Sequence, residues 1–440
     1  MNLTLVNLVP PLKGDTTVPG GPLYIAAVLE EEGWYVDFRD YQLTSYENPL
    51  DHRNIKDFLS DSEDILAIGC FFNVLPFLLP SLEEIKAENP EKMIILGGSG
   101  PSSVAEKLMG KFPFIDVVVK GEGEKTVREI AQGIPYSRIK GIVYRSDGRI
   151  VQTPERERIH NLDALPFPAY EKIDLTQYTQ AGVVTARGCP YHCSFCEVAS
   201  LWGYHTEQRS VSSVIKEIKM LYDQGITSLH INDDTFVLNR RWVLDFCNLL
   251  KIENLDITWR CLGRINLMDR DLLTTMANSG CVGIQYGIES GSEEVLKKVG
   301  KQITIPQVKE VIKMSVDAIE YIVSTFMWGF PFETMGDFFQ TIYAMGVLTD
   351  LGSLVKLLFL SPAPLSPLCK EYGNQLAFDE KFVPHLLWGV YEDKFSLEEK
   401  EHVFEMILQH PDVFSAFYYV NSPDVEKKYE FLKNAGMLAD

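Results

Sequence analysis

Three cysteines fall close together in Ala186-Arg187-Gly188-Cys189-Pro190-Tyr191-His192-Cys193-Ser194-Phe195-Cys196. Thiolates are soft ligands, so a short segment carrying three of them points to iron–sulfur or zinc chemistry. A 4Fe–4S cluster normally takes four thiolates. Three on one loop ligate three irons and leave the fourth iron an exchangeable position, the distinction that also separates catalytic from structural zinc sites. Zinc is the rival occupant, with His192 or His205 as a fourth ligand. A Cys-x3-Cys-x2-Cys loop is not a usual zinc-ribbon spacing, which favours the cluster. Gly188 and Pro190 mark an exposed loop rather than a packed element.

Other candidates stand at the ends of apolar runs. Asn232-Asp233-Asp234-Thr235-Phe236 pairs two carboxylates able to accept hydrogen bonds from an ammonium group; alternatively, Asp233 caps the next helix. In Gly287-Ile288-Glu289-Ser290-Gly291-Ser292 the glycines allow close backbone approach, and Glu289 with Ser290 could bind ribose hydroxyls. A tight turn with Ser292 as N-cap explains the same residues. Arg260 and Arg264 could meet a carboxylate, or form only a solvated salt bridge.

The elements that must position these residues can be read from periodicity. In the first 150 residues or so, apolar runs at Leu3–Val9, Ile65–Phe72, Met93–Leu96 and Val117–Val119, with the more polar Tyr35–Tyr41, alternate with helix-like Pro22–Glu32, Leu78–Glu88 and Ser102–Lys111. Continuous apolar strands separated by helices imply a parallel sheet covered on both faces, the doubly wound (Rossmann-like) pattern. Strands around Ile142 and Ile150, joined by Asp147-Gly148, read as a hairpin closing that domain. Residues 153–178, with Pro154, Pro166 and Pro168, read as a connector.

Alternation then resumes. Strands are expected at Val183–Ala186, Ser228–Asn232, Ile257–Cys261, Val282–Gly287, Tyr321–Trp328 and Lys356–Leu360, and helices at Val211–Gln224, Arg241–Leu250, Asp269–Ser279, Pro306–Val316 and Met335–Leu348. Six strand–helix units make a partial (β/α)6 barrel of the TIM type. The expected α/β organisation is therefore a doubly wound domain at 1–152, a linker at 153–178, the barrel at 179–370 and a small helical C-terminal region at 371–440. Leu397–Leu408 and Asp424–Asn434 are the clearest helices of that last region. The barrel assignment puts the cysteines on a βα loop, where barrel enzymes keep their chemistry.

Bulk properties narrow the function classes. The chain has 440 residues, a net charge of −20, 46% hydrophobic and 23% charged residues. That charge disfavours a broad nucleic-acid footprint or an anionic membrane surface. No apolar run is long enough to span a bilayer, and Met1–Pro11 lacks a basic segment and cleavage site, so no signal peptide is expected. Five further cysteines are scattered, which suits buried thiols in a reducing cytoplasm rather than a disulfide framework.

Cys189-x3-Cys193-x2-Cys196 after a first barrel strand resembles the signature of the radical S-adenosylmethionine superfamily. The resemblance implies that the amino and carboxylate groups of S-adenosylmethionine chelate the open iron, and that an electron from the cluster cleaves it to a 5′-deoxyadenosyl radical. It places Phe195 near the adenine and Asp233 and Asp234 near the methionine amino group; on the residues alone, Arg260 or Arg264 could meet the cofactor carboxylate, and Glu289 and Ser290 its ribose. Where this chain has Gly329-Phe330-Pro331-Phe332-Glu333-Thr334, relatives commonly carry a glycine at Phe332, so the turn near the adenine is expected to differ.

The first domain resembles the cobalamin-binding domain that precedes the barrel in one large subfamily. The matching stretches are Gly20-Gly21-Pro22-Leu23-Tyr24-Ile25-Ala26-Ala27-Val28-Leu29-Glu30, Ile94-Ile95-Leu96-Gly97-Gly98 and Val119-Lys120-Gly121-Glu122-Gly123-Glu124. Gly97, Gly98, Gly121 and Glu122 are the cobalamin-side candidates. A phosphate-binding loop is the rival, but no Walker lysine opens a helix here. Many cobalamin domains supply a histidine from an Asp-x-His-x-x-Gly loop; here Pro10-Pro11-Leu12-Lys13-Gly14-Asp15-Thr16-Thr17 has none. Radical members often lack it, and so would a domain that had lost cobalamin.

Together the two resemblances, covering about residues 1–370, imply a cobalamin-dependent methyltransferase acting on an unactivated carbon or phosphorus centre of a small molecule. Its electron donor would be a flavodoxin or ferredoxin. The alternatives are a radical mutase, dehydratase, cyclase or carbon–carbon bond-forming enzyme, and, from another class, a non-catalytic cobalamin or metal sensor.

Overall fold

Leu3, Leu5 and Val6 supply the apolar residues of Asn2–Asn7, and all but the first residue of this segment are buried. This strand, β1, is covered on both faces, as parallel strands are. The computed structural model describes residues 1–11, 16–386 and 397–438, which divide into two units.

The first unit comprises Met1–Thr179 with 397–417. After β1 come β2 (Tyr35–Asp40), β3 (Ile65–Gly69), β4 (Met93–Gly97), β5 (Val117–Val119), β6 (Ile142–Ser146) and β7 (Arg149–Gln152). Their spatial order is β2-β1-β3-β4-β5-β6-β7. The first five pair in parallel, and the last two close the edge antiparallel. Strand order reverses between β1 and β3, so a crevice opens beyond their carboxyl ends. The helices are α1 (Gly20–Glu31), α2 (His52–Leu59), α3 (Leu75–Glu88), α4 (Ser99–Lys111) and α5 (Glu124–Ala131). Asp147 and Gly148, at φ 49 and 75, form the β6–β7 turn that an Asp-Gly pair favours. Residues 153–178 belong to this unit and bury Ile159, Leu162, Tyr170, Leu175 and Tyr178.

The second unit comprises residues 180–386 and 418–438. Six strands lie side by side in chain order, all parallel: β8 (Gln180–Val183), β9 (Ser228–Ile231), β10 (Thr258–Gly263), β11 (Cys281–Glu289), β12 (Tyr321–Trp328) and β13 (Leu354–Phe359). The helices are α6 (Val198–Trp202), α7 (Val211–Tyr222), α8 (Arg240–Ile252), α9 (Arg270–Ala277), α10 (Glu293–Lys298), α11 (Ile305–Ala318) and α12 (Met335–Asp350). This is the expected open barrel. Its helix starts are chemically specified: capping boxes formed by Thr304 with Gln307 and by Thr334 with Asp337 open α11 and α12. Phe236, Trp242, Phe246 and Trp259 pack a buried aromatic core beneath β9 and β10.

The C-terminal region is shared out rather than separate. It adds α13 (Pro367–Tyr372), α14 (Val383–Leu386), α15 (Leu397–Gln409) and α16 (Val425–Asn434), with α15 in the first unit and the others in the second. Leu376–Ala377 pairs antiparallel with Tyr419–Val420.

Candidate functional site

The three cysteines lie on the loop after β8, and all are free thiols. Strand β8 stops at Val183 because the following backbone is claimed by a side chain. Asp233 Oδ1 accepts the N–H groups of Thr185 (2.7 Å) and Ala186 (2.9 Å), and its Oδ2 accepts the Thr185 hydroxyl. Asp234 accepts the Gly188 N–H at 2.9 Å. Both carboxylates therefore anchor the root of the cysteine loop. Gly188, at φ 102, has no room for a side chain: a Cβ would stand 2.2 Å from the His205 carbonyl oxygen. Glycine is required there on both counts.

The thiols have distinct neighbours. Cys189 Sγ is 3.8 Å from the Thr235 hydroxyl, and Cys193 Sγ accepts from an Arg264 terminal nitrogen at 3.9 Å. Burial pushes the Cys196 thiol up to about 12, with Cys193, Asp234 and Cys189 adding repulsion. A bound cation reverses that preference, because a coordinating thiol is deprotonated outright. The loop offers three thiolates, and each can take one corner of an iron–sulfur cube. Both proposed zinc histidines are engaged elsewhere: His192 stacks on Tyr204 (centroids 4.2 Å), and His205 Nε2 lies 2.9 Å from Glu207.

Of the other barrel candidates, Arg264 touches this loop at Cys193 and Glu289 is linked to Arg264 through Lys301, whereas Arg260 is exposed over the Tyr321 ring. Phe195 meets Phe330 edge-on at 6.0 Å, and Phe332 stacks on the far partner Phe330 at 5.8 Å. Arg264 is buried, with its guanidinium carbon 3.5 Å from the Tyr191 ring centroid. Glu289 sits at φ 72 and accepts from Lys301 Nζ at 2.8 Å. Ser290 exchanges a hydrogen bond with Thr341 (3.1 Å) and accepts the Ser292 N–H (3.1 Å). Ser292 caps α10.

Sequence reasoning did not identify Lys301, Thr185 or Thr341, whose partners are distant in the chain. Nor does the sequence by itself give Glu333 a role. Glu333 and Lys428 of α16 form an ion pair at 2.9 Å with neither side chain exposed. Glu333 also accepts the Gly329 N–H (3.1 Å), its Oε1 has no partner among the described residues, and burial raises its pKa. The residues around it, Gly329–Thr334, are the stretch in which Phe332 departs from the resembled pattern.

A second site lies wholly within the first unit. An apolar cleft of about 260 Å³ opens beyond the carboxyl ends of β1, β3, β4 and β5. Gly21, Gly97 and Gly121 line it. A Cβ at Gly21 or Gly121 would meet nothing within 4 Å, and one at Gly97 only Val119 at 4.0 Å. The space that side chains would occupy is thus left open, which fits a broad, flat group such as a corrin laid against the backbone. Gly98, at φ 90, is packed instead against the Cys70 carbonyl. Glu122 does not line the cleft; it accepts from Arg158 Nε (3.0 Å) and the Ile159 N–H (2.8 Å). Among the described residues, the lining includes Asn7 and Ser99 but no histidine, lysine or arginine. Leu12–Asp15 of the histidine-free loop lie outside the described residues.

Known proteins match both halves. Residues 183–342 match the family described as the radical SAM superfamily, and residues 13–131 the B12 binding domain. An uncharacterised methyltransferase of Pyrococcus horikoshii is 30% identical over 341 residues, spanning 75% of this chain and 73% of the relative. The cytidylyl-2-hydroxyethylphosphonate methyltransferase of Streptomyces wedmorensis is 27% identical over 374 residues, 72% of this chain and 69% of the relative. Among solved structures, the radical S-adenosylmethionine methyltransferase TsrM of Kitasatospora setae, with cobalamin and a 4Fe–4S cluster bound, has a TM-score of 0.70. That match is 20% identical, covers 85% of this chain and 78% of TsrM, and speaks to the fold.

Proposed function

Because the chain belongs to the radical S-adenosylmethionine superfamily, in the branch that carries a B12-binding domain, we propose that it is a cobalamin-dependent methyltransferase acting on an unactivated carbon or phosphorus centre of a small molecule. The observation that carries this reading is the presence, in one chain, of three free thiols on a βα loop and a glycine-floored cleft at a Rossmann-type switch point. When bound, the cluster, S-adenosylmethionine and cobalamin supply the radical and the methyl group, and the protein supplies placement.

In this reading Cys189, Cys193 and Cys196 hold the cluster. Asp233 and Asp234 fix the loop that presents them, through the Thr185, Ala186 and Gly188 amides. Phe195 with Phe330 offers an apolar flank to adenine, and Glu289 and Ser290 shape the turn where a ribose would lie. Gly97 and Gly121 leave room for the corrin, Gly98 lets the β4–α4 turn pack closely, and Glu122 pins residues 158–159 beside that site. A flavodoxin or ferredoxin in a reducing cytoplasm would supply electrons.

The test is product analysis on anaerobically reconstituted protein given S-adenosylmethionine, reductant and candidate substrates. The proposal expects both 5′-deoxyadenosine and S-adenosylhomocysteine. Deoxyadenosine without S-adenosylhomocysteine would overturn methyl transfer in favour of a mutase, dehydratase, cyclase or bond-forming enzyme.

A further inference from the structure

Arg264 is a buried cation, 6% exposed, that has no carboxylate within ion-pair distance among the described residues. A guanidinium cannot escape this cost by losing its proton. Buried charges are normally paired or placed against a metal site. The contacts of Arg264 are the Asn266 side-chain oxygen (3.0 Å), the Lys301 carbonyl, the face of Tyr191 and Cys193 Sγ at 3.9 Å. Only the last can become an anion at working pH, by ligating iron.

The guanidinium is also held rigidly. Lys301, whose carbonyl receives one of its terminal nitrogens, is itself tied to Glu289 at 2.8 Å. Glu289 is kept at φ 72, a conformation that a glutamate adopts only under outside constraint. Within this buried trio the Glu289 and Lys301 charges cancel, which leaves the positive charge of Arg264 beside Cys193. Hydrogen bonds and positive charge at a ligand sulfur favour the more negative, reduced cluster and so raise its potential.

We infer that Arg264 is a positioning residue whose fixed charge raises the reduction potential of a cluster held by Cys193, with Tyr191 and the Glu289–Lys301 pair holding the guanidinium in place. The inference rests on the reading that these cysteines hold a cluster. It differs from assigning Arg264 to the carboxylate of S-adenosylmethionine, because its effect is present before that cofactor binds.

The test is a redox titration of reconstituted protein, followed by electron paramagnetic resonance without S-adenosylmethionine, on wild type, Arg264→Gln, Arg264→Lys and Tyr191→Leu. Arg264→Gln is expected to take up full iron and to lose about tenfold in the reduction equilibrium, a shift of about 59 mV to more negative potential for a one-electron couple. Arg264→Lys, which keeps the charge, and Tyr191→Leu, which loosens it, are expected to shift less in the same direction; they carry the test should Arg264→Gln fail to fold. Potentials equal to wild type in every loaded variant, with only S-adenosylmethionine affinity reduced, would overturn the inference and leave the cluster assignment standing. A wild type that takes up no iron would bring both down together.

Discussion

At the carboxyl end of the first unit's sheet, Gly97 and Gly121 leave open the space where side chains would stand; at the equivalent end of the second, Asp233, Arg264, Glu289 and Ser290 fill theirs with hydrogen bonds. The two ends answer different demands. A large planar group is held by area, so its seat is made by removing side chains and lining the rest with apolar ones. A cluster is held by a few bonds whose geometry must be fixed, so its seat is made by clamping a loop. One end should therefore be sensitive to added bulk, and the other to the loss of single hydrogen-bonding or ligating groups.

The largest effect should come from the clamped end. Cys196→Ala is expected to abolish the cluster's visible absorbance and all turnover while cobalamin still binds; iron content and absorbance decide it. Next is the Glu333–Lys428 pair. Lys428→Met leaves a fully buried carboxylate uncompensated, and denaturant unfolding should show a loss of about 3–5 kcal/mol. Combining it with Glu333→Met should recover most of that loss, because the charge then leaves with its partner.

At the open end, Gly97→Leu should weaken cobalamin binding by about tenfold or more, since intruding methylenes cost about 1–3 kcal/mol. Equilibrium binding should register this with iron uptake unchanged; a Cβ at this position meets only Val119, at 4.0 Å. The smallest effect is one of pH. Burial pushes Asp233 up to about 7, so the folded chain holds that proton more tightly than the unfolded one. Its contribution to stability is complete below the ordinary carboxylate range and is lost as pH rises through about 7. Asp233→Asn can still accept both amide N–H groups on one oxygen, so its melting temperature should be flatter than wild type between about pH 4 and pH 7.

What could be read in the sequence was whatever is written locally. The Cys189-x3-Cys193-x2-Cys196 spacing, the Asp147-Gly148 turn and the helix starting at Met335 are each set by a few adjacent residues. The end of β8 was not local. Val183 to Ala186 read as one strand, but Asp233, nearly fifty positions away, takes the amides of Thr185 and Ala186 and ends the pairing at Val183. The same distance hides the partners of the candidates: Thr341 lies 51 residues from Ser290, and Lys428 lies 95 from Glu333. The helices α2, α5 and α10 are eight residues or shorter, too brief for a periodic pattern to stand out. Residues 153–178, proline-bearing and polar, resemble a connector in composition, yet they bury one apolar side chain every few positions against the first unit.

Metal analysis of protein reconstituted anaerobically with iron, sulfide and hydroxocobalamin tests both ends at once. One 4Fe–4S cluster and one cobalt per chain is the result this account predicts. Iron without cobalt would contradict the role given to the glycine-floored cleft. A single zinc, or no metal at the cysteines, would contradict the central claim.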